Sequence, residues 1–291
     1  MWQDLRYAWR RLADRPGFAL VTILTLAAGI GLNTMVFQLI NGLILRPLPG
    51  VTREGVVSVE GRGGPSHSFP TYLDLKRRSG TLADMAAARM MPMGVNAGAR
   101  AEVMWGYEAT GNYFSLLGVN AWRGRLFDAA DDEKRNPVAV LSHRTWQKRF
   151  GADPNIVGRE IRLNGSKLTV VGVTPPGFVG TEVLVSPELW VPFSLVRLVE
   201  NRDWTGERGS HNAWVIGRLA PGVSMERANA ELRVLAEQIA KENPRTEEGL
   251  VAQAVKPGLI GGRGRTAFSR AGIGLFAMAV LTLLVACTNL S

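Results

Sequence analysis

Residues 138–173 read VAVLSHRTWQKRFGADPNIVGREIRLNGSKLTVVGV and carry clear signals for both strands and a helix. The stretch opens with the short apolar run VAVL, which predicts a buried strand. A helix is predicted over residues 142–150. Residues 159–173 predict a β-hairpin around Asn164 and Gly165, because this dipeptide fits the tight turn that joins two twisted strands. A strand, a helix and a hairpin in immediate succession indicate an α+β fold.

The same alternation of strands and helices continues on both sides of this stretch. Pro244 lies just past the last predicted helix, as is typical of a helix end. The remaining predicted strands are residues 55–60, 101–110, 188–193, 212–219 and 250–256, and the remaining predicted helices are residues 69–79, 111–118 and 224–239.

An uncharged run precedes this region. Residues 17–45 read GFALVTILTLAAGIGLNTMVFQLINGLIL and contain no charged side chain. About 20 apolar residues suffice to cross a bilayer as a helix, whereas the apolar part of a cleaved secretory signal has only about 7–15. The run is therefore predicted to be an uncleaved transmembrane helix and not a cleaved targeting peptide.

A second uncharged run, residues 271–290, lies at the other end of the chain. Residues 271–291 are predicted to begin a second transmembrane helix that is truncated, so we expect the chain to be the front piece of a longer protein. Residues 46–270 then form a domain between the two helices. Four arginines precede the first run and two follow it, which places the N-terminus in the cytoplasm and the domain outside. Basic residues before the second run argue for the opposite orientation, but long translocated domains largely escape this rule.

Residues 1–16 are predicted to be a cytoplasmic amphipathic helix. Aromatic and basic side chains alternate at helical spacing, with Trp2 and Trp9 on the apolar side and Arg10 and Arg11 on the other. Such a pattern is typical of a helix that lies along the membrane surface. A disordered tail is the alternative.

A stripe of small and polar residues runs along the first predicted transmembrane helix, at Ala27, Gly31, Thr34, Gln38 and Asn41. Spacings of four and three residues place them on one face. Small residues allow a second helix to approach closely, and amides can hydrogen-bond across the contact. The stripe therefore predicts packing against other membrane helices. Alternatively, the two amide residues lie outside the bilayer, because the run is longer than crossing requires.

The composition indicates which classes of partner the protein is expected to bind. The net charge is +9, but the densest basic clusters flank the two apolar runs, and no basic stripe with interleaved aromatics occurs. Membrane lipid is therefore an expected partner and nucleic acid is not. The single cysteine, Cys287, excludes a disulfide within the chain.

The sequence contains no pattern for a catalytic, cofactor or metal site, so no enzyme activity is predicted. The three histidines, His67, His143 and His211, match no zinc spacing, and neither a G-x-S-x-G elbow nor a nucleotide-binding G-x-x-x-x-G-K-[ST] loop occurs. An acidic run at residues 128–133 has the composition of a calcium loop but lacks its glycine and terminal glutamate. We expect this run to be a solvated turn.

The order of several stretches resembles the family of MacB-like ABC-transporter permeases, and in particular its duplicated orphan permease branch. The resemblance covers nearly the whole chain. It is carried by DLRYAWRRLADRPGFALVTILTLAAGIGLNTMVF (4–37), LRPLP (45–49), TGNYFSLLGV (110–119), GRLFDAADD (124–132), VAVLSHRTWQKRFGADPNIVGREIRLNGSKLTVVGVTPPGF (138–178), ELWVPFS (188–194) and WVIGRLAPGVSMERANAEL (214–232).

This resemblance implies a non-catalytic permease subunit in the inner membrane, with a periplasmic core domain of two mixed α+β lobes. It also implies a separate ATPase that binds ATP, further permease helices, and a homodimer or paired permease half. The expected function is to couple ATP hydrolysis to a periplasmic conformational change for export or efflux.

Two rival functions stay open from the sequence. A two-span membrane sensor would carry an extracytoplasmic ligand-binding domain and a signalling module beyond Ser291. A membrane-anchored hydrolase would need a catalytic site, for which the sequence has no pattern.

Overall fold

The computed structural model describes residues 2, 16–40, 51, 54–62, 64, 66–96, 101–181, 186–257, 274 and 281. The chain divides into two compact units. One comprises Met1–Arg46 together with Arg263–Ser291, and the other comprises Pro47–Gly262.

In the first unit, helix α1 spans Pro16–Ile40. Proline suits the first position of a helix, where its missing N–H would have no intrahelical acceptor. The structure describes the side chains of this helix at only part of its positions. Among the residues that are described, no helix meets the combined requirement of length and apolarity for crossing a membrane. The run at 271–291 lies outside the described residues, apart from two positions.

The helices of the second unit begin at polar N-caps where the sequence provides them. The hydroxyl groups of Ser68, Ser142 and Ser224 accept hydrogen bonds from backbone N–H groups in the first turns of their helices, which satisfies donors that have no intrahelical partner. These helices are α2 (Phe69–Arg78), α3 (Tyr113–Leu117), α4 (Ala129–Glu133), α5 (His143–Arg149), α6 (Val196–Glu200) and α7 (Met225–Glu242), and a 3-10 turn (Phe193–Leu195) precedes α6.

Among the residues that the structure describes, eleven strands form one hydrogen-bonded sheet. The strands Ala101–Ala109 and Leu189–Pro192 run parallel to each other, as do Val138–Leu141 and Ser166–Val173, whereas the other described pairs are antiparallel. The predicted mixed sheet of an α+β fold is therefore confirmed. The strands are β1 (Val56–Glu60), β2 (Ser66–His67), β3 (Leu82–Asn96), β4 (Ala101–Ala109), β5 (Arg123–Gly124), β6 (Val138–Leu141), β7 (Glu160–Leu163), β8 (Ser166–Val173), β9 (Leu189–Pro192), β10 (Ala213–Leu219) and β11 (Gln253–Val255).

The order across the sheet is β11-β1-β10-β3-β4-β9-β6-β8-β5, with β2 paired to β10 and β7 paired to β3 and β8. The predicted hairpin is confirmed as β7 and β8. Asn164 and Gly165 form its turn with φ of 47° and 88°, the left-handed conformation that a two-residue turn of this kind requires.

Strand β3 is fifteen residues long and belongs to both halves of the sheet. Its first half, as far as Ala88, pairs with β10, and its second half, from Ala88 to Asn96, pairs with β4. The sequence did not predict this strand.

One face of the sheet carries two separate helical layers, which define two lobes. In lobe 1, α2 and α7 cover Val57, Met85 and Val215. In lobe 2, α5 and α6 cover a second core that includes Met93 and Leu141. Residues 85 and 93 of β3 are an even number apart, so both cores lie on the same face. The two-lobed architecture predicted for this domain is therefore confirmed.

A third core lies on the reverse face. Tyr107 and Trp190 meet there edge to face with ring centroids 6.2 Å apart, and Phe114 of α3 packs on Trp190 at 5.8 Å. Buried aromatic pairs in this geometry add stabilisation beyond the area they bury. Through this core, α3 packs against the middle of the sheet, on the face opposite the helical layers of the two lobes.

Candidate functional site

The predicted packing stripe lies on α1 where the structure describes it. Ala27, Gly31, Thr34 and Gln38 are all exposed in this helix. A Cβ placed on Gly31 would meet no described atom within 4 Å. The hydroxyl of Thr34 donates to the carbonyl of Ile30 at 2.8 Å, so its own helix satisfies it.

Most of the predicted membrane-surface anchors, and the last residue of the packing stripe, lie outside the described residues. Trp2 is described and is 88% exposed, which leaves its indole available for the interfacial contact that the sequence predicts. The positions outside the described residues are Asn41, Trp9, Arg10 and Arg11.

A buried polar cluster lies between the two lobes. Arg89 of β3 and Glu108 of β4 face each other directly in the register, and Arg89 Nη1 lies 3.8 Å from Glu108 Oε2. The Glu108 side chain is fully buried, and neither of its oxygens has a hydrogen-bond partner among the described residues. Burial, followed by the neighbouring Glu200 carboxylate, raises the pKa of Glu108 to about 9. Glu108 is therefore protonated at neutral pH.

The same cluster reaches the helical layer of lobe 2. Arg89 forms an ion pair with Glu200, the last residue of α6, and its guanidinium lies 4.8 Å from the ring centroid of Trp204. The indole Nε1 of Trp204 donates to Glu200 at 2.9 Å. Arg89 thus binds the sheet to α6 and to the segment that follows it. We call Arg89, Glu108, Glu200 and Trp204 the seam.

An aromatic contact joins the helical layers of the two lobes beside the seam. Phe69, the first residue of α2, stacks on Phe193 with ring centroids 4.6 Å apart and an interplanar angle of 13°. Phe193 lies in the 3-10 turn before α6 and packs edge to face on Trp204 at 5.5 Å. A change in the separation of the two layers would have to open this stack.

An ion-pair network adds a second link to α2. Asp74 is buried on this helix and accepts a hydrogen bond from Arg208 at 2.6 Å, and another from Arg77. Burial opposes ionisation of this carboxylate, but the hydrogen bonds from Arg208 and Arg77 outweigh it and lower the pKa of Asp74. The segment that carries Trp204 and Arg208 is therefore bound to both lobes.

The acidic run is not the solvated turn that the sequence predicts. Asp128 caps helix α4, and Asp131 is buried and binds Arg125 and Asn136, which holds the pKa of Asp131 at about 2. Its neighbour Asp132 accepts hydrogen bonds from two backbone N–H groups, one just after β4 at 2.9 Å and one in the 3-10 turn at 2.8 Å. Two carboxylates of the run, Asp131 and Asp132, thus bind side chains and backbone groups of neighbouring segments.

The structure does not gather the three histidines into a metal site. His67 is buried, its Nε2 lies 3.2 Å from the Val59 carbonyl, and burial lowers its pKa to about 4. His143 packs against two tryptophans, and His211 is exposed. Within the described part of the chain, no group of three histidine, cysteine, aspartate or glutamate side chains could hold a metal ion.

Comparison with known proteins places this fold in a family. The family model of the MacB-like periplasmic core domain matches residues 19–235. The chain is 25% identical over 126 residues to the "Macrolide export ATP-binding/permease protein MacB" of Salmonella paratyphi A, covering 42% of this chain and 18% of that protein. It is 29% identical over 82 residues to the protein of the same name from Burkholderia pseudomallei, covering 28% and 13%. The chain thus spans less than a fifth of these relatives.

Two solved structures share the fold. The periplasmic region of MacB from Actinobacillus actinomycetemcomitans aligns with a TM-score of 0.55 at 15% identity, covering 81% of this chain and 97% of that one. The extracellular domain of YknZ, described as a noncanonic ABC-type transporter from Gram-positive bacteria, aligns with a TM-score of 0.52 at 14% identity, covering 68% and 99%.

Proposed function

This chain belongs to the family of MacB-like periplasmic core domains, and from that premise we propose that it serves as a permease subunit that couples ATP hydrolysis by a separate ATPase to export or efflux. The observation that carries the proposal is the family match across residues 19–235, which includes both lobes up to α7. The sequence has no nucleotide-binding loop of its own, so the ATP is bound by the partner ATPase.

The proposed placement is a multi-pass protein of the inner membrane. Residues 17–45 cross it with the N-terminus in the cytoplasm, residues 46–270 lie in the periplasm, and residues 271–291 begin the second crossing. The absence of charge from both apolar runs supports this placement, as does the arginine excess before the first run. Residues 1–16 then lie along the cytoplasmic surface of the membrane, where they contact lipid.

The proposed role of the domain is mechanical. Motion of α1 enters the domain, and the seam and the stack of Phe69 on Phe193 keep the two lobes moving together. The stripe on α1 is the proposed contact with the remaining permease helices and with a second permease half. This role needs no catalytic residue in the domain, so we propose that the subunit is not itself an enzyme.

Cysteine labelling in intact cells tests the placement. Lys167 lies on the β7–β8 hairpin and is 60% exposed at its side chain. In a Cys287→Ser background, Lys167→Cys is expected to react with a membrane-impermeant maleimide added from outside, whereas the control Gln3→Cys reacts only after lysis. Labelling of Lys167→Cys only after lysis would refute the placement.

Co-purification tests the coupling. The full-length permease is expected to bind an ATPase subunit whose hydrolysis rate in lipid discs depends on the permease. An ATPase that neither binds nor changes its rate would count against transport, and a signalling module attached to the same gene product would favour the sensor.

A further inference from the structure

An open cleft of about 820 Å³ lies at one end of lobe 2. It adjoins the carboxyl ends of the parallel strands β6 and β8, because its lining includes Ser142 directly after β6 and Pro176 soon after β8. Ligands bind preferentially in the crevice outside the carboxyl ends of neighbouring parallel strands, and small-molecule sites commonly have volumes of about 300–1,000 Å³. The position and the size of this cleft therefore fit a ligand site, which the proposed transport function does not use.

One wall of the cleft is cationic. Arg144 and Lys148 lie one turn apart on α5, and both are exposed. Among the described residues, neither forms an ion pair with a carboxylate. Arg149 lies beside them and is held by Glu188, with its Nε 2.8 Å from Glu188 Oε1. Among the described residues, the charged side chains of the lining are three cations and one carboxylate, and Arg149 forms a second ion pair with Glu102, so the local net charge is +1 and favours an anion.

The lining also has an apolar wall. Pro176, Val179 and Pro187 line it, together with Phe178. The Phe178 ring is buried and stacks on Trp190 with centroids 5.4 Å apart, which fastens this wall to the core of the reverse face. The cleft therefore offers a cationic wall and an apolar wall to the same ligand.

We propose that this cleft binds a small amphipathic anion. Its phosphate or carboxylate head is held by Arg144 and Lys148, and its apolar body lies against Pro176, Val179 and Pro187. Charge-assisted hydrogen bonds would supply most of the affinity, and the apolar wall would select molecules that carry more than the head alone. This site lies within the domain itself, and its ligand binding requires no particular ATPase or transport substrate.

Calorimetric titration of the full chain in phosphatidylcholine discs tests this proposal. The probe is hexyl phosphate, with inorganic phosphate as the head alone and hexanol as the apolar body alone. Hexyl phosphate is expected to bind saturably with one site per chain and more tightly than either part. The double variant Arg144→Glu/Lys148→Glu is expected to weaken its binding at least about tenfold, because each cation contributes a charge-assisted hydrogen bond.

A matched control makes the same change of net charge elsewhere. Arg227→Glu/Lys241→Glu reverses two exposed cations on α7, outside the residues that line the cleft, and is expected to bind hexyl phosphate as the parent chain does. Equal weakening by both double variants would overturn the proposal, because the effect would then be one of overall charge. Equal affinities for hexyl phosphate and hexanol, or for hexyl phosphate and inorganic phosphate, would also overturn it.

Discussion

Arg89 and Glu108 are direct partners across β3 and β4, yet the guanidinium does not ionise the carboxyl group beside it. Arg89 Nη1 lies 3.8 Å from Glu108 Oε2, whereas the closer ion pair of Arg89 is with Glu200. Desolvation therefore dominates, and the pKa of Glu108 rises to about 9. The seam therefore contains a neutral acid, Glu108, next to the ion pair of Arg89 with Glu200.

Glu108→Gln is expected to remove the loss of stability that the parent domain shows as the pH rises. The pKa of Glu108 is raised from 4.5 to about 9 on folding. Between these values the unfolded chain binds fewer protons than the native one, so the stabilising contribution of Glu108 is complete below pH 4.5 and is lost as the pH rises to 9. Chemical denaturation at several pH values should show the variant gaining stability relative to the parent over this window.

The exposed Glu160 provides the control for this measurement, because its side chain is 62% exposed beside Lys167. Glu160→Gln should show no such trend. A constant difference between Glu108→Gln and its parent from pH 5 to 9 would contradict the buried, protonated state of Glu108.

Phe193→Ala is expected to lower the free energy of unfolding by about 3–5 kcal/mol, because it removes a large buried ring and leaves a cavity beside Phe69 and Trp204. Urea denaturation measures this loss. Leu198→Ala, at a position that is 41% exposed, should change stability by no more than about 0.5 kcal/mol. Similar losses from both variants would mean that the aromatic stack has no special role.

Gly165→Ala is expected to destabilise the β7–β8 hairpin by about 1–2 kcal/mol. The cost is conformational, because φ is 88° at this residue and an added Cβ would meet no described atom within 4 Å. The control is Gly206→Ala, which also has open space but no positive φ, and which should be neutral or slightly stabilising. Thermal denaturation of the two variants should rank them in this order.

Asp131→Asn is expected to lower stability at neutral pH by about 1–2 kcal/mol, since it weakens the contacts with Arg125 and Asn136; the half-exposed arginine limits the effect. The pKa of Asp131 falls from 3.8 to about 2 on folding. The contribution is therefore present above pH 3.8 and is lost as the pH falls towards 2. Acid titration of parent and variant should show their stabilities converging there; a gap that stays constant would contradict it.

Gly31→Leu is expected to impair association or coupling while membrane insertion stays intact. An added Cβ at Gly31 would meet no described atom within 4 Å, so we attribute the expected loss to a neighbouring helix that packs on this face. Cross-linking of the reconstituted permease measures association. Ile30→Leu, on a different side of the helix, is the control and should behave as the parent. Normal association and activity of Gly31→Leu would exclude the stripe as a contact.

Much of the fold could be predicted from local signals. Ser142 and Ser224 begin helices because their hydroxyls cap backbone donors, and Asn164-Gly165 turns because only a few residues tolerate its backbone conformation. These signals act within a few residues, so one sequence is enough to read them. They predicted both strands of the hairpin and most of helix α7.

Strand β3 could not be predicted in this way. Its sequence LADMAAARMMPMGVN lacks the β-branched alternation of an exposed strand, and it contains Pro92. Tertiary pairing imposes the extended conformation, with β10 on the first half and β4 on the second. Pro92 is tolerated because, among the described strands, the edge of β3 opposite β4 is unpaired between Ala88 and Val95.

The seam was also beyond sequence reasoning. Arg89 and Glu108 are far apart along the chain, and only the register of β3 and β4 makes them neighbours. Nothing in the local sequence distinguishes Glu108 from an ordinary exposed glutamate. The prediction of a solvated turn at residues 128–133 was wrong for the same reason. Asp132 accepts a hydrogen bond from the backbone N–H of Ser194, which is distant along the chain.

Strand β3, which both halves of the sheet share, restricts how the domain can be recombined with a relative. Since β3 supplies hydrogen bonds to both halves of the sheet, no single cut releases either half with all its edges intact. A chimera that exchanged one half with that of a relative would have to inherit β3 whole, and its donor would dictate the twist of the other half. Useful recombination points therefore lie outside the sheet, at the borders of the entire domain.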